Sequence, residues 1–430
     1  MARIVLMSGT DRGHTYPTVA VALALRDRGH DVLVVTGRKR GPELDAAGVP
    51  WTPIPEAEPH AERVDLSQNL WSWAAAAARP TAALLDRFDA EVVVSDVLMA
   101  AGGLAAELQG VPWVQLVPHH LSDPAVELPP IGLGRHPSRL PWVRADDRFV
   151  HHRASRSFAR GRGDRRRARE GLGLTGRGRP AARLVASLPG LEYPRRIWPT
   201  DAHLVGPLAW DPPDVGVAPW PGPGHLGAAS VDEVLARIDP AGPPVVVATD
   251  STGTGATGGL AALAVEALTG LDVQLIAITQ RRDVALEASQ RWPLGCVVAS
   301  LPHHRALELA EVAIAPGGAG FLGKSLLRGV PLVLVPDFGD QLEAAARVTW
   351  AGAGRRVDLR MPWTSLLPDP VGEVGQLRRA VVRVLADDGY RVAAGRLAAA
   401  AAELRPPAAA AIVEHVVAGT LRAAEGPTRP

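Results

Sequence analysis

The stretch that decides the fold runs from Ala315 to Gly354, APGGAGFLGKSLLRGVPLVLVPDFGDQLEAAARVTWAGAG. Gly317, Gly318 and Gly320, with Ala319 between them, follow an apolar run, Val312–Ala315, that reads as a buried strand; a helix-compatible stretch, Leu322–Leu327, comes next. Strand, glycine turn and helix aim bare backbone N–H groups and a positive helix end at an anion. A second strand, Pro331–Pro336, then carries the chain to an acid–amide pair, Asp340-Gln341, of the kind that holds sugar hydroxyls. A diphosphate cradle followed by a hydroxyl-binding pair points to a nucleotide sugar. The turn alone is a weak signal, because it lacks the spacing of the dinucleotide fingerprint and of the Walker lysine loop, and an ordinary strand-to-helix turn reads the same way.

Working outward, short β-branched runs alternate with helical stretches. Arg3–Met7, Asp31–Thr36, Glu91–Ser95, Pro112–Val117 and Arg183–Ser187 read as strands, with helices over Tyr16–Arg28 and Ala100–Gln109. Strands resume at Pro244–Thr249, Val273–Thr279 and Cys296–Ala299. This rhythm predicts parallel sheets covered by helices on both faces. Between them, Leu204–Gly227 is dense in proline and glycine and reads as a linker. The expected division is residues 1–205, a linker 206–228, a second domain 229–405, and a final segment 406–430, with a helix over Ala408–Ala424.

The block around the glycine turn resembles the donor-binding signature of nucleotide-sugar-dependent glycosyltransferases of the GT-B fold, most nearly the actinobacterial enzymes that glycosylate antibiotics and other natural products. That signature reads His-Gly-Gly-x-Gly-Thr-x-x-Glu-Ala-Leu, then Gly-Val-Pro, Asp-Gln-x-x-Asn-Ala and Gly-x-Gly. Gly317-Gly318, Gly320, Leu326, Gly329-Val330-Pro331, Asp340-Gln341, Ala345 and Gly352-Ala353-Gly354 fit it in register. The resemblance covers nearly the whole chain. It implies two Rossmann-like doubly wound α/β domains facing across a cleft, the first for the acceptor and the second for a TDP- or UDP-linked sugar as co-substrate. It also implies a final helix that crosses back onto the first domain. Four positions depart from the pattern: Pro316 stands for the histidine that bonds the diphosphate, Phe321 for the threonine, Lys324 for the glutamate and Ala344 for the asparagine. Proline offers no N–H, so that contact is lost. Lys324, one of only two lysines among the 46 basic residues, is a candidate substitute cation, or else a solvated surface residue.

For the chemistry, His14 follows the first strand in a loop, and Asp96 ends a neighbouring strand. Transfer to a hydroxyl needs a base with a near-neutral pKa, and a carboxylate on the other ring nitrogen fixes its tautomer. Both positions match the family's catalytic His–Asp pair, which the resemblance therefore implies here. Ser251 and Thr252 match the family's small-residue loop near the phosphates, and Pro302-His303 its loop around the base. The acceptor side is less legible. Trp71, Trp73, His119 and His120 are candidate lining residues, while core packing is the competing reading for the tryptophans. The arginine-rich run Arg148–Arg169 reads as a solvated helix pair that also offers a basic rim to an acidic acceptor.

The rest of the sequence sets bounds. At 430 residues with 47% hydrophobic content, two domains with real cores are expected. A net charge of +1 gives no drive toward nucleic acid or membranes, and no metal-ligand spacing stands out. One cysteine, Cys296, and an opening MARIVLMSG that reads as a strand fit a cytoplasmic protein, with no run of membrane-spanning length and homodimerisation left open. The expected activity is that of an inverting glycosyltransferase acting on a small hydrophobic natural product, with no cofactor. The alternatives are a donor-site-degenerate, non-catalytic GT-B partner, an enzyme using an unusual donor, and an epimerase on the same fold.

Overall fold

The computed structural model describes residues 1–56, 66–213, 231–250, 259–279, 296–299, 301–337, 339–359, 372–402 and 404–421. The chain divides into two compact units: Met1–Pro130 with Pro137–Trp210 and Glu403–Pro430, and Ile131–His136 with Asp211–Ala402. Each is a parallel sheet between helices, as the GT-B fold requires of its halves.

Unit one is built on β1 Arg3–Met7, β2 Asp31–Thr36, β3 Trp51–Pro53, β4 Val92–Asp96, β5 Trp113–Val117, β6 Ala182–Val185 and β7 Ala202–Leu204. Their order in the sheet is β3-β2-β1-β4-β5-β6-β7, and every neighbouring pair is parallel. Side chains alternate between two cores, as strand geometry dictates. Ile4 and Leu6 of β1 face the helix Arg12–Asp27 and the C-terminal helix Pro406–Val417; Val5 and Met7 face the helices Leu66–Phe88 and Ala100–Gln109. Because both faces are covered, β4 begins with three consecutive valines, Val92–Val94, each fully buried. The C-terminal helix buries Ala409, Ala410, Val413 and Val416 in this unit's core, and Arg28 and His30 hold its Glu414 at 2.5 Å and 3.0 Å.

Unit two carries β8 Val245–Thr249, β9 Gln274–Ile278, β10 Cys296–Ala299, β11 Val312–Ala315, β12 Leu332–Leu334 and β13 Gly354–Arg356, in the order β10-β9-β8-β11-β12-β13, again all parallel. The helices Leu260–Leu268 and Gly372–Leu385 cover one face. Ile131–His136, from the first half of the sequence, is part of this unit. The N–H groups of Gly132 and Gly134 both donate to Glu343 Oε1 at 2.9 Å, and Arg356 donates to the Gly134 carbonyl at 2.8 Å.

Three short strands, β3, β7 and β13, were not expected, being three residues each. The arginine-rich run is one helix of 31 residues, Pro141–Gly171, rather than a pair: Gly161 and Gly163 lower its propensity without breaking it. The first helix starts at Arg12 instead of Tyr16, because Asp11 caps it by accepting from the His14 N–H.

Candidate active site

In a doubly wound sheet the chain reverses its direction of travel at one point, and the loops leaving the two strands there diverge to open a crevice. In unit one that point lies between β1 and β4, and in unit two between β8 and β11. His14 and Asp96 lie at the first of these points, and the glycine turn after β11 lies at the second.

His14 sits in the first turn of the helix that follows β1, and Asp96 is the last residue of β4. Although 82 residues apart in sequence, they meet: His14 Nδ1 lies 2.8 Å from Asp96 Oδ2 and 2.9 Å from Oδ1. The pairing of β1 with β4, Met7 opposite Ser95, sets this separation. Asp96 is held in turn by the Leu98 N–H at 2.8 Å, and its side chain is fully buried, whereas that of His14 keeps 18% of its surface open. Gly9 allows the β1 loop to pass close by, since a Cβ there would stand 3.0 Å from the His14 Cβ. An ionised carboxylate only accepts, so Nδ1 carries the proton and the lone pair of the imidazole is on Nε2. This is the arrangement of a general base oriented by an acid.

A cavity of about 500 Å³ opens on the face of the same sheet that bears Trp113, Gln115 and Arg183, and Asp96 borders it. Trp71 lines it, with the Arg165 guanidinium over its ring at 5.5 Å. Trp73 is corrected: at 2% exposure it packs in the core among Ala74, Ala77 and Leu85 and has no surface to offer a ligand. His119 and His120 lie beyond β5 and do not border the cavity. His119 Nδ1 pairs with the His120 carbonyl at 2.7 Å, and His120 is 7% exposed.

In unit two, β11 leads through buried Pro316 and Gly317 to exposed Gly318 and Gly320, with Ala319 beginning a nine-residue helix, Ala319–Leu327. Gly317 is obligatory: its φ of +110° belongs to glycine, and a Cβ there would stand 3.2 Å from the Gln341 carbonyl oxygen. Among the described residues no side chain caps the helix, and a Cβ on Gly318 or Gly320 would meet nothing within 4 Å. The first-turn N–H groups of a helix have no partner within it, which is the condition for anion binding at a helix start. The close approach of Gly317 to Gln341 brings the acid–amide pair to the same turn. Asp340, exposed, opens the helix Asp340–Trp350; Gln341, 9% exposed, accepts at Oε1 from the Asp337 N–H at 3.0 Å.

Lys324 is corrected as a substitute cation. It is 4% exposed, and its Nζ lies 2.5 Å from Asp211 Oδ1, so its charge is already committed. Burial lowers the lysine's pKa, opposed by Asp211. Burial also acts against ionised Asp211, but Lys324 and the neighbouring histidines outweigh it and hold that carboxyl down at about 2. His304 joins the cluster, its Nδ1 2.9 Å from Asp211 Oδ2. Pro302 precedes the short helix His303–Leu307, and His303 meets Phe321 edge-on, with ring centroids 4.9 Å apart. Asp211 was missed in the sequence because it stands in a proline-rich stretch with nothing nearby to reveal a partner 113 residues away. Ser251 and Thr252 lie outside the described residues; Asp250, just before them, accepts from the Ala261 N–H at 2.8 Å and the Thr279 hydroxyl at 2.6 Å. Among the described residues no group of His, Cys, Asp and Glu has the geometry of a metal site, and no helix is long and apolar enough to cross a membrane.

Residues 262–419 match the family described as erythromycin biosynthesis protein CIII-like, C-terminal domain. Along nearly its whole length the chain is similar to glycosyltransferases. It is 29% identical to 4'-demethylrebeccamycin synthase of Lentzea aerocolonigenes, over 92% of this chain and 94% of that one. It is 26% identical to vancomycin aglycone glucosyltransferase of Amycolatopsis orientalis, over 95% of this chain and all of that one. Among solved structures, the Streptomyces sp. SF2575 glycosyltransferase complexed with thymidine diphosphate superposes with a TM-score of 0.65 at 20% identity, over 96% of this chain and all of that one. The spinosyn forosaminyltransferase superposes with a TM-score of 0.70 at 17% identity, over 97% and 99% of the two chains.

Proposed function

We propose that this chain, a glycosyltransferase of the GT-B fold, inverts the anomeric centre of a TDP- or UDP-linked sugar as it transfers that sugar to a hydroxyl of a small natural product. The observation that carries the reading is the 2.8 Å contact between His14 Nδ1 and Asp96. His14 Nε2 takes the proton of the acceptor hydroxyl while its oxygen forms the bond to the anomeric carbon. The bond from that carbon to the diphosphate oxygen breaks, and its electron pair leaves with the diphosphate. Asp96 stabilises the imidazolium that forms. With His14 as the single base, transfer proceeds in one displacement, hence inversion.

The N–H groups at Gly318–Gly320 and the positive end of the helix Ala319–Leu327 take the charge growing on the diphosphate. Fixed dipoles of this kind act without reorganising as the charge develops. Asp340 holds sugar hydroxyls, and Gln341 supports the loop beside it. Pro302 and His303 border the nucleotide base, while Ser251 and Thr252 contribute to the phosphates. The single cysteine suits a reducing cytoplasm. Support for a thymidine nucleotide comes from the relative crystallised with thymidine diphosphate.

The test is calorimetric titration with TDP, UDP and a TDP-hexose, followed by transfer to a panel of hydroxylated aromatics, with the anomeric configuration of the product read by NMR. Nucleotide binding and an inverted glycoside are expected. Retention of configuration would eliminate the single-displacement mechanism. Absence of nucleotide binding would favour the non-catalytic alternative, which the loss of a donor at Pro316 and the commitment of Lys324 to Asp211 also motivate.

A further inference from the structure

The cavity in unit one has a charge balance that the proposed reaction does not use. Three acids border it, and each has a partner: Asp96 bonds His14, Glu107 pairs with Arg169, and Asp201 bonds Arg183 at 2.8 Å. Arg183 is neutralised twice, since it also bonds Asp123 at 2.8 Å. Arg165 and Arg179 border the cavity as well, and among the described residues neither forms an ion pair with a carboxylate. Arg165 Nη2 donates to the Gly178 carbonyl, and its guanidinium carbon lies over the Trp71 ring, 5.5 Å from the centroid. Burial, and then repulsion from Arg179, push the Arg165 guanidinium below its ordinary pKa. The wall between these charges is apolar, formed by Trp71, Trp113 and Leu104.

A half-buried guanidinium next to a second one, neither in an ion pair among the described residues and with an aromatic ring beside it, has the features of a receptor for an anion on a flat ring. The volume, about 500 Å³, is that of a small-molecule site. We infer that this cavity binds an organic carboxylate carried on an aromatic ring, with Arg165 and Arg179 holding the carboxylate and Trp71 and Trp113 the ring. His14 does not line the cavity, and the Asp96 side chain is fully buried, so the carboxylate site stands beside the proposed reaction centre and does not rest on the glycosyl-transfer reading.

The probes are 6-hydroxy-2-naphthoate and its neutral amide, titrated calorimetrically into the full chain, with TDP titrated into the same preparations. The carboxylate binds about ten-fold or more tightly than the amide, as a charge-assisted contact in a partly dry site requires, and the gap narrows as salt is added. Arg165→Gln abolishes that preference with TDP affinity unchanged. Arg179→Gln, at an exposed position where folding is not at stake, reduces it. Trp71→Leu weakens both naphthalene ligands alike. Equal affinity for carboxylate and amide, no binding of the carboxylate, or a preference that survives both arginine variants would overturn the inference. If TDP binds and the preference is absent, this inference alone falls; if the preference holds and TDP does not bind, the site stands and the transfer reading falls.

Discussion

At the reversal point of unit one, the helix that follows β1 and the end of β4 carry side chains that bond each other, His14 to Asp96 at 2.8 Å, with the Leu98 N–H also holding the acid. At the reversal point of unit two, β11 runs into Pro316 and a run of glycines, and the residues of that turn itself offer only backbone polar groups. The same topology thus presents an ionisable pair in one unit and bare amides in the other. A proton must be taken by a group that can hold it, which requires a side chain with a tuned lone pair. A diphosphate needs only positive potential, which helix geometry supplies without any particular side chain. On the proposed reading, unit two can therefore do without the histidine of the donor signature at Pro316, whereas unit one needs both His14 and Asp96.

The comparison is strained most severely at Lys324. If unit two worked through side chains, this lysine would serve the ligand; buried against Asp211, it serves the fold. Lys324→Ala leaves the Asp211 carboxylate buried without its main partner and should cost about 3–5 kcal/mol in stability. Lys324→Met combined with Asp211→Asn should recover most of that loss. Denaturant midpoints of the three proteins decide the matter, and a Lys324→Ala protein of full stability but weak TDP binding would reverse the assignment. The pH dependence follows from the sign of the Asp211 shift. Its folded pKa, about 2, lies below its ordinary 3.8. The stability it contributes is therefore complete above the ordinary value and is lost as pH falls through the folded one.

Next in size is the dyad. His14→Ala should lower kcat by roughly 100-fold or more with donor affinity unchanged, because the lost contact acts only in the transition state. Asp96→Asn should act in the same direction less severely. Near-normal turnover in His14→Ala would break the contrast between the two units, since neither would then depend on an ionisable side chain.

The backbone half is sharpened by restoring what it lacks. Pro316→His should tighten TDP binding by roughly ten-fold, the worth of one hydrogen bond to a charged group. No change on titration would mean that the nucleotide does not lie against this turn.

Much of this was legible in the sequence, for reasons that differ by region. The glycine turn could be read because it is local: strand, turn and helix occupy consecutive residues, and positive φ at Gly317 leaves a compositional mark. His14 and Asp96 could be placed at carboxyl ends of strands, and the family resemblance joined them. What could not be read is pairing at long range without a motif. Asp211 with Lys324 and Glu343 with Gly132 and Gly134 link residues far apart, and no periodicity signals them. The short strands β3, β7 and β13 escaped because three residues carry too little alternation to register. Trp73 misled because an aromatic on an apolar helix face reads the same whether it meets a ligand or the core.

The smallest effect separates the two members of the acid–amide pair. Asp340 is exposed at the start of its helix, whereas Gln341 is buried and its Oε1 is occupied by the Asp337 N–H. Asp340→Ala should weaken binding of an intact TDP-sugar by about 2- to 12-fold, the range of one ordinary hydrogen bond, and leave TDP affinity nearly unchanged. Gln341→Ala should weaken both ligands together, because its amide holds the loop against the glycine turn and the turn carries the diphosphate. Parallel titrations of TDP and TDP-sugar into both variants separate the roles. If Asp340→Ala lowered the two affinities equally, Asp340 would be a loop support like its neighbour, and unit two would have no side chain that reads the sugar at this turn.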